Sequence, residues 1–406
     1  MKLRSGGRTM AAINNIIHIS QAARGKHPGR LLIPARLTEA RTAKKMTQSQ
    51  LAAQIEVSRQ SVSTYELGTK NPDPEVMVRI ARVLQQPMTY FTREEIPSFG
   101  NRSTVFFRKT GADTKKRNQA CAVHADWLVS AAATLANYAH LPQVDLPSFE
   151  PSGVGVCYTD DEIEESAESV RKHFNLNHGP ISNVVRLLEA KGVIVCRQKM
   201  EGENVGAFSF WSGDRPFIYL ASDRKSAARA RFDAAHELGH LCLHRWIGED
   251  EVDDADRLKE IEQEADRFAG AFLLPRKSFP NEVFSSRAEG FIELKSRWKV
   301  SIQAMAYRCK DLGVFDDRQI TNIYKQISYK KWRTTEPLDG ENGLPFEEPV
   351  VLRKLTDLLL DSGKVSAADV ALEIGPSPDI LSQILGTDRL RMGVESRADA
   401  PDLSLK

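Results

Sequence analysis

Long apolar runs, paired cysteines and a strong net charge are all missing from this sequence. No stretch approaches the roughly 18 apolar residues that a membrane-spanning helix needs, and the basic N-terminus has no apolar segment followed by a small-residue cleavage site. A membrane partner is therefore not expected, and the cytoplasm is the expected location. The five cysteines, Cys121, Cys157, Cys196, Cys242 and Cys309, are scattered without a CxxC pair. That pattern speaks against a disulfide framework and against a thiolate zinc site, leaving reduced and mostly buried thiols.

Net charge is only +2, but it is unevenly spread: from Met1 to Tyr90, 14 Lys and Arg stand against 5 Asp and Glu. That end of the chain suits a polyanion. At 406 residues and 41% hydrophobic, the chain is too long for one ordinary core, and two to four domains are expected.

Residues 1–30 hold six basic residues and no acid, and read as a flexible arm. From Leu31 the pattern changes to short helices, including "TQSQLAAQIEVSRQSVSTYELGTKNP". Thr47 is placed to cap a helix over Gln48–Ile55 whose Leu51, Ala52 and Ile55 share one face. "IEVS" makes a tight turn, Ser58 caps the next helix, and Gly68 ends it. Two short helices so joined, the second exposing Arg59, Gln60, Ser63 and Thr64 beside a buried Val62, have the geometry of a helix-turn-helix. Such a helix fits the major groove, where Arg and Gln side chains match guanine and adenine edges.

The string from about Leu31 to Thr92 resembles the XRE/Cro–C1 family of DNA-binding domains, including the family's "YE.G...P" ending, here "YELGTKNP". The resemblance implies that Gln48 meets the DNA backbone or a base edge, and that Arg59, Gln60 and Thr64 read bases. It also implies a double-stranded DNA operator as partner and a homodimer as the acting form.

Farther on, "RFDAAHELGHLCLHRW" contains His236-Glu237-Leu238-Gly239-His240. Residues i and i+4 of a helix lie one above the other, so His236 and His240 can point at one ion while Glu237 projects beside it. Phe232, Ala235, Leu238, Gly239 and Leu243 form a buried side, and Gly239 permits close approach by a neighbour. A catalytic zinc needs a third protein ligand. The segment "EIEQEADRFAGAFLLP" offers Glu262 and Glu264. Glu262 shares a face with Asp266 at i+4, whereas Glu264 points about 160° away, which favours Glu262 as ligand with Asp266 orienting a neighbour.

His244 is four residues past His240, not the six that a metzincin requires, and reads as a packing residue or a support to the ligands. Asp233, one turn before His236, is either an orienting partner of the site or an acid complementing the helix dipole.

The two segments together resemble the ImmA/IrrE family of metallopeptidase domains, whose pattern is RxxFxxAHELGH followed by E..EAnxFAxxLLMP; Leu274 stands where Met is commoner. The likeness spans roughly Glu162 to Pro275, including three strand candidates, "VIVCRQK", "GAFSFW" and "PFIYLAS". It implies zinc held by His236, His240 and Glu262, with Glu237 as general base, and a protein substrate such as an XRE-type repressor.

The expected architecture is multidomain: an all-α helix-turn-helix domain, an α+β zincin-like metallopeptidase domain with a small sheet, and an α-helical C-terminal region. The boundaries read as a basic arm (1–30), the DNA-binding domain (31–92), a helical linker (93–150), the metallopeptidase domain (151–280), a helical region (281–391) and a polar, disordered tail (392–406). Two functions are open at this point. One is a DNA-binding regulator carrying a zinc endopeptidase that cleaves a specific regulatory protein. The other is a transcriptional regulator, or an antitoxin-like DNA-binding protein, whose zinc domain senses or stabilises without turnover.

Overall fold

The structure is a computed structural model that describes residues 32–93, 96–105, 114–151, 157–199, 206–223, 225–248, 251, 254–340 and 342–391. The expected basic arm and polar tail lie outside the described residues.

Five helices open the fold: α1 (Pro34–Ala43), α2 (Gln48–Gln54), α3 (Arg59–Glu66), α4 (Pro74–Leu84) and α5 (Met88–Phe91). Thr47 and Gln50 form a reciprocal capping box at the start of α2, satisfying two backbone N–H groups that the helix leaves open. Glu56 takes a positive φ of 56° in the turn, and the Ser58 side chain accepts from Ser61 N at the start of α3. Gly68 follows α3 at φ 70°, a conformation that costs a side-chain-free residue little. Leu51, Ala52, Val62, Tyr65, Ile80 and Leu84 turn inward, which leaves Arg59 and Gln60 at the surface.

Helix α6 (Thr114–Ala136) is 23 residues long and packs against this bundle rather than standing apart from it. Its Trp127 is 1% exposed, and the indole Nε1 donates to the Tyr90 hydroxyl across 3.3 Å. Next come α7 (Asp160–His173) and α8 (Val184–Ala190), then three strands, β1 (Ile194–Gln198), β2 (Ala207–Ser212) and β3 (Arg215–Ala221). The sheet order is β1-β3-β2, with β1 parallel and β2 antiparallel to β3.

Period-two alternation makes this sheet a wall between two cores. Ile194, Cys196, Phe208, Phe210, Phe217 and Tyr219 face the side packed with the N-terminal bundle and α6. Val195, Trp211, Ile218 and Leu220 face the other side, with α9 (Ala227–Leu243) and α10 (Ala255–Leu273). Both faces are covered, so these strands are apolar almost throughout.

The C-terminal helices divide between the same two cores. Helices α11 (Phe291–Trp298), α12 (Ile302–Asp311) and α13 (Asp317–Tyr329) join the α9–α10 side. Helices α14 (Val351–Asp361), α15 (Ala367–Ile374) and α16 (Pro378–Leu385) join the bundle side. A buried ion cluster secures the first group: Lys295 Nζ lies 2.9 Å from Glu336 and 2.8 Å from Asp339, all three almost fully buried. Asp339 also accepts from the hydroxyl of Ser226, the residue that caps α9. No helix among the described residues is long and apolar enough to cross a membrane.

Candidate metal centre

Helix α9 is buried along nearly its whole length, and one of its glycines sets where the next helix crosses. A Cβ on Gly239 would sit 3.1 Å from Phe268 Cδ1 and 3.3 Å from Ala265 Cα, so α10 passes directly over that position. The crossing carries Glu262 to the two histidines.

His236 Nε2 lies 3.0 Å from His240 Nε2, and the Glu262 carboxylate oxygens lie 3.5 Å and 3.4 Å from them. Among the described residues these three are the group whose donor atoms converge closely enough, all within 4.8 Å, to hold one metal ion. Zinc bonds of about 2.1 Å in a tetrahedral arrangement put donor atoms about 3.4 Å apart, so the spacing and the nitrogen–oxygen donor set both fit.

Electrostatics favour the protonation states that a ligand set needs. Burial pushes the His240 imidazole down to about 3, so it is neutral at pH 7. Burial works to raise Glu262, but its hydrogen bonds to His236 and His240 outweigh that and hold it far below the ordinary carboxylate range. The result is a neutral His240 imidazole beside an ionised Glu262 carboxylate.

Each histidine is fixed from behind. Asp266 Oδ1 lies 2.7 Å from His236 Nδ1, so Nδ1–H donates to the carboxylate and Nε2 keeps its lone pair toward the centre. His240 Nδ1 lies 2.9 Å from His244 Nδ1, and His244 Nε2 lies 2.8 Å from Glu264 Oε2. Glu264 is itself 6% exposed and accepts from Tyr158 N across 3.1 Å and from Arg257 across 3.4 Å. Glu237, 3% exposed, accepts a 2.7 Å hydrogen bond from the Ser209 hydroxyl on β2.

The structure thus brings His236, Glu237, His240, Glu262, Asp266 and His244 together. Asp233 is 7% exposed and close enough to Arg197 to act on its charge; Asp266 is the carboxylate that meets His236. Sequence reasoning weighed Glu264 only as a ligand and missed its hold on His244. It also missed Ser209, whose one signal is a polar residue inside the apolar strand "AFSFW".

At the other end of the chain, Arg59 and Gln60 are exposed on α3, with Ser63 and Thr64 half-buried beside them. Thr64 Oγ1 donates to Ser61 O across 2.8 Å. The Gln48 side chain donates to Glu66 across 2.8 Å, and Arg41 pairs with the same carboxylate at 2.5 Å.

Residues 37–91 match the family model for a helix-turn-helix, and residues 188–310 match that for the IrrE N-terminal-like domain of peptidase family M78. The chain joins a helix-turn-helix DNA-binding domain to an IrrE/ImmA-like peptidase domain. A further model, for a domain of unknown function, matches residues 349–398, which begin just before α14. Over 59 residues, 14% of the chain, the sequence is 30% identical to an uncharacterized HTH-type transcriptional regulator, YqaE, of Bacillus subtilis (strain 168). The matched segment spans about half, 51%, of that protein's length. The peptidase-domain match contains His236, Glu237, His240 and Glu262, and the helix-turn-helix match contains Gln48, Arg59, Gln60, Ser63 and Thr64.

Proposed function

We propose that this chain is a DNA-binding transcriptional regulator whose peptidase domain is a zinc-dependent endopeptidase acting on a specific regulatory protein, such as an XRE-type repressor. The observation that carries the reading is Glu237. A buried carboxylate next to the donor set, accepting a hydrogen bond from the Ser209 hydroxyl at 2.7 Å, has no use in a purely structural zinc site.

His236, His240 and Glu262 would hold the metal, which would supply Lewis-acid polarisation of the scissile carbonyl and activation of water. Glu237 is the general base: it takes a proton from the attacking water and delivers it to the amine nitrogen as the peptide bond breaks. Ser209 keeps that carboxylate aimed. Asp266 and the His244–Glu264 pair hold the two imidazoles in the tautomer that presents Nε2 to the metal.

The edge of β2 suits an extended peptide. Residues of the chain already lie along part of it: Ser103 N donates to Trp211 O across 2.8 Å, and Gly213 N donates to Asn101 O across 2.9 Å. A substrate strand pairing with the rest of this edge would gain main-chain hydrogen bonds without sequence demands, and side-chain pockets would then set specificity. On the DNA side, α3 of each subunit of a homodimer would enter the major groove of an operator half-site.

The test is quantitative mass spectrometry of protein termini from cells expressing the natural chain or Glu237→Gln. A defined set of new termini that disappears in the variant supports the reading. Identical terminomes overturn it.

A further inference from the structure

On the face of the sheet away from the metal centre lies a cavity of about 460 Å³, inside the size range of small-molecule sites. Ala40 and Ala43 of α1 and Ala120 of α6, all short side chains, are among the residues that line it. Buried rings back it, Phe208 and Tyr219 stacked at 5.0 Å on the sheet and Trp127 of α6 edge-to-face at 5.0 Å with His124, whose ring is partly exposed.

The charge around this space is one-sided. Lys44, Lys45, Arg117 and Lys199 line it, against one described carboxylate, Asp379, which pairs with Arg391 at 3.4 Å. Arg117 is 9% exposed, and both it and Lys45 bear on the buried thiol of Cys121, which places these two cations at one end of the cavity. Arg197 also lines the space, but its guanidinium lies over Phe346 on the opposite face of the sheet and adds nothing here. The buried Gln86, Gln198 and Ser377 supply neutral polar atoms, already joined to Tyr219, Gln383 and one another.

We infer that this cavity is a binding site for a small organic anion, with a carboxylate or phosphate set between Lys45 and Arg117 and an apolar body against the partly exposed Ala43, His124 and Ile380. Concentrated positive charge in a partly desolvated space favours an anionic group. Four parts of the molecule would meet the ligand: the helix-turn-helix domain through α1 and the end of α4, helix α6, the sheet, and α16. The consequence for regulation is direct, because Phe208 lines the cavity while the next residue, Ser209, holds Glu237.

The test uses the full chain and the fluorescent aromatic anion 1-anilinonaphthalene-8-sulfonate as probe, and it reads anion binding alone, whatever the fate of the peptidase activity. One saturable site per chain is expected, with affinity reduced about tenfold or more in Lys45→Gln/Arg117→Gln. Phenyl phosphate or benzoate should displace the probe and benzyl alcohol should not; whichever of the two anions competes better identifies the ligand's charged group. The neutral analogue N-phenyl-1-naphthylamine should bind the natural chain about tenfold more weakly than the anionic probe. This comparison decides the matter even if the double variant does not fold. Equal binding of the neutral and anionic probes, affinity within about twofold in a folded double variant, or the absence of a saturable site would overturn the inference.

Discussion

His244 Nδ1 lies 2.9 Å from Nδ1 of His240, and that contact dictates which nitrogen of His240 can bind a metal. Only one of two facing ring nitrogens can carry the proton between them. Glu264, 2.8 Å from His244 Nε2, claims a proton there, so His244 is the acceptor at Nδ1 and His240 the donor. The Nε2 lone pair of His240 is thereby left facing His236 and Glu262. Replacing His244 by Phe removes this tautomer lock while roughly keeping the volume. Zinc affinity, measured by competition with a chromogenic chelator, should fall about 10–100-fold. Affinity within about twofold of the natural chain would show that His244 only packs.

Glu237 and Ser209 separate chemistry from binding. Glu237→Gln keeps size and one hydrogen-bonding oxygen but cannot take a proton, so zinc content should be unchanged while cleavage falls by about 10²–10⁴-fold. Ser209→Ala leaves the base chemically intact but unanchored, and the expected loss is smaller, about tenfold, in kcat rather than KM. Metal analysis of the purified variants, followed by single-turnover assays on the substrate found by terminomics, checks both. If Ser209→Ala raised KM and spared kcat, the hydroxyl would belong to substrate binding instead.

DNA recognition makes a different demand on the chain. Arg59 and Gln60 are exposed at the start of α3, where side chains can reach base edges. Changing either to Ala should cost about 1–3 kcal/mol on the preferred site and leave non-specific binding and its salt dependence nearly unchanged. Gel-shift titrations at several salt concentrations distinguish this from a phosphate contact, which would weaken all sequences alike and flatten the salt slope.

Periodicity made much of this legible in the sequence. The i, i+4 spacing of His236 and His240 needs only a helix to bring them together, and the short, largely apolar runs "VIVCRQK", "GAFSFW" and "PFIYLAS" mark the three strands. Glu262 could be argued from its helical relation to Asp266. What could not be read is whatever depends on how elements cross. Glu264 reaches His244 only because α10 passes over Gly239, and Ser209 reaches Glu237 only because β2 lies under α9. The same holds for α6: its alanines and its Trp127 suggest a buried face, but not that the N-terminal bundle and the sheet are what bury it. Sequence spacing fixes neighbours along one element, whereas crossing angles and strand order are set by the packing of many.

The Lys295 cluster is a crossing of this kind, and it ties stability to the metal helix. Lys295 is 0% exposed at its side chain, between Glu336 and Asp339 at 1% and 2%. Glu336 also accepts from Ile302 N at the start of α12, and Asp339 accepts from Ser226 at the start of α9. Lys295→Met would fill the space but strand two buried carboxylates, at a cost of about 3–5 kcal/mol. Neutralising the carboxylates as well, in Lys295→Met/Glu336→Gln/Asp339→Asn, should recover part of that loss, because no unpaired charge is then left behind. Urea unfolding of the two variants beside the natural chain measures the difference. Equal stability of the single and triple variants would mean that the cost lies in packing around Lys295 rather than in the charges it neutralises.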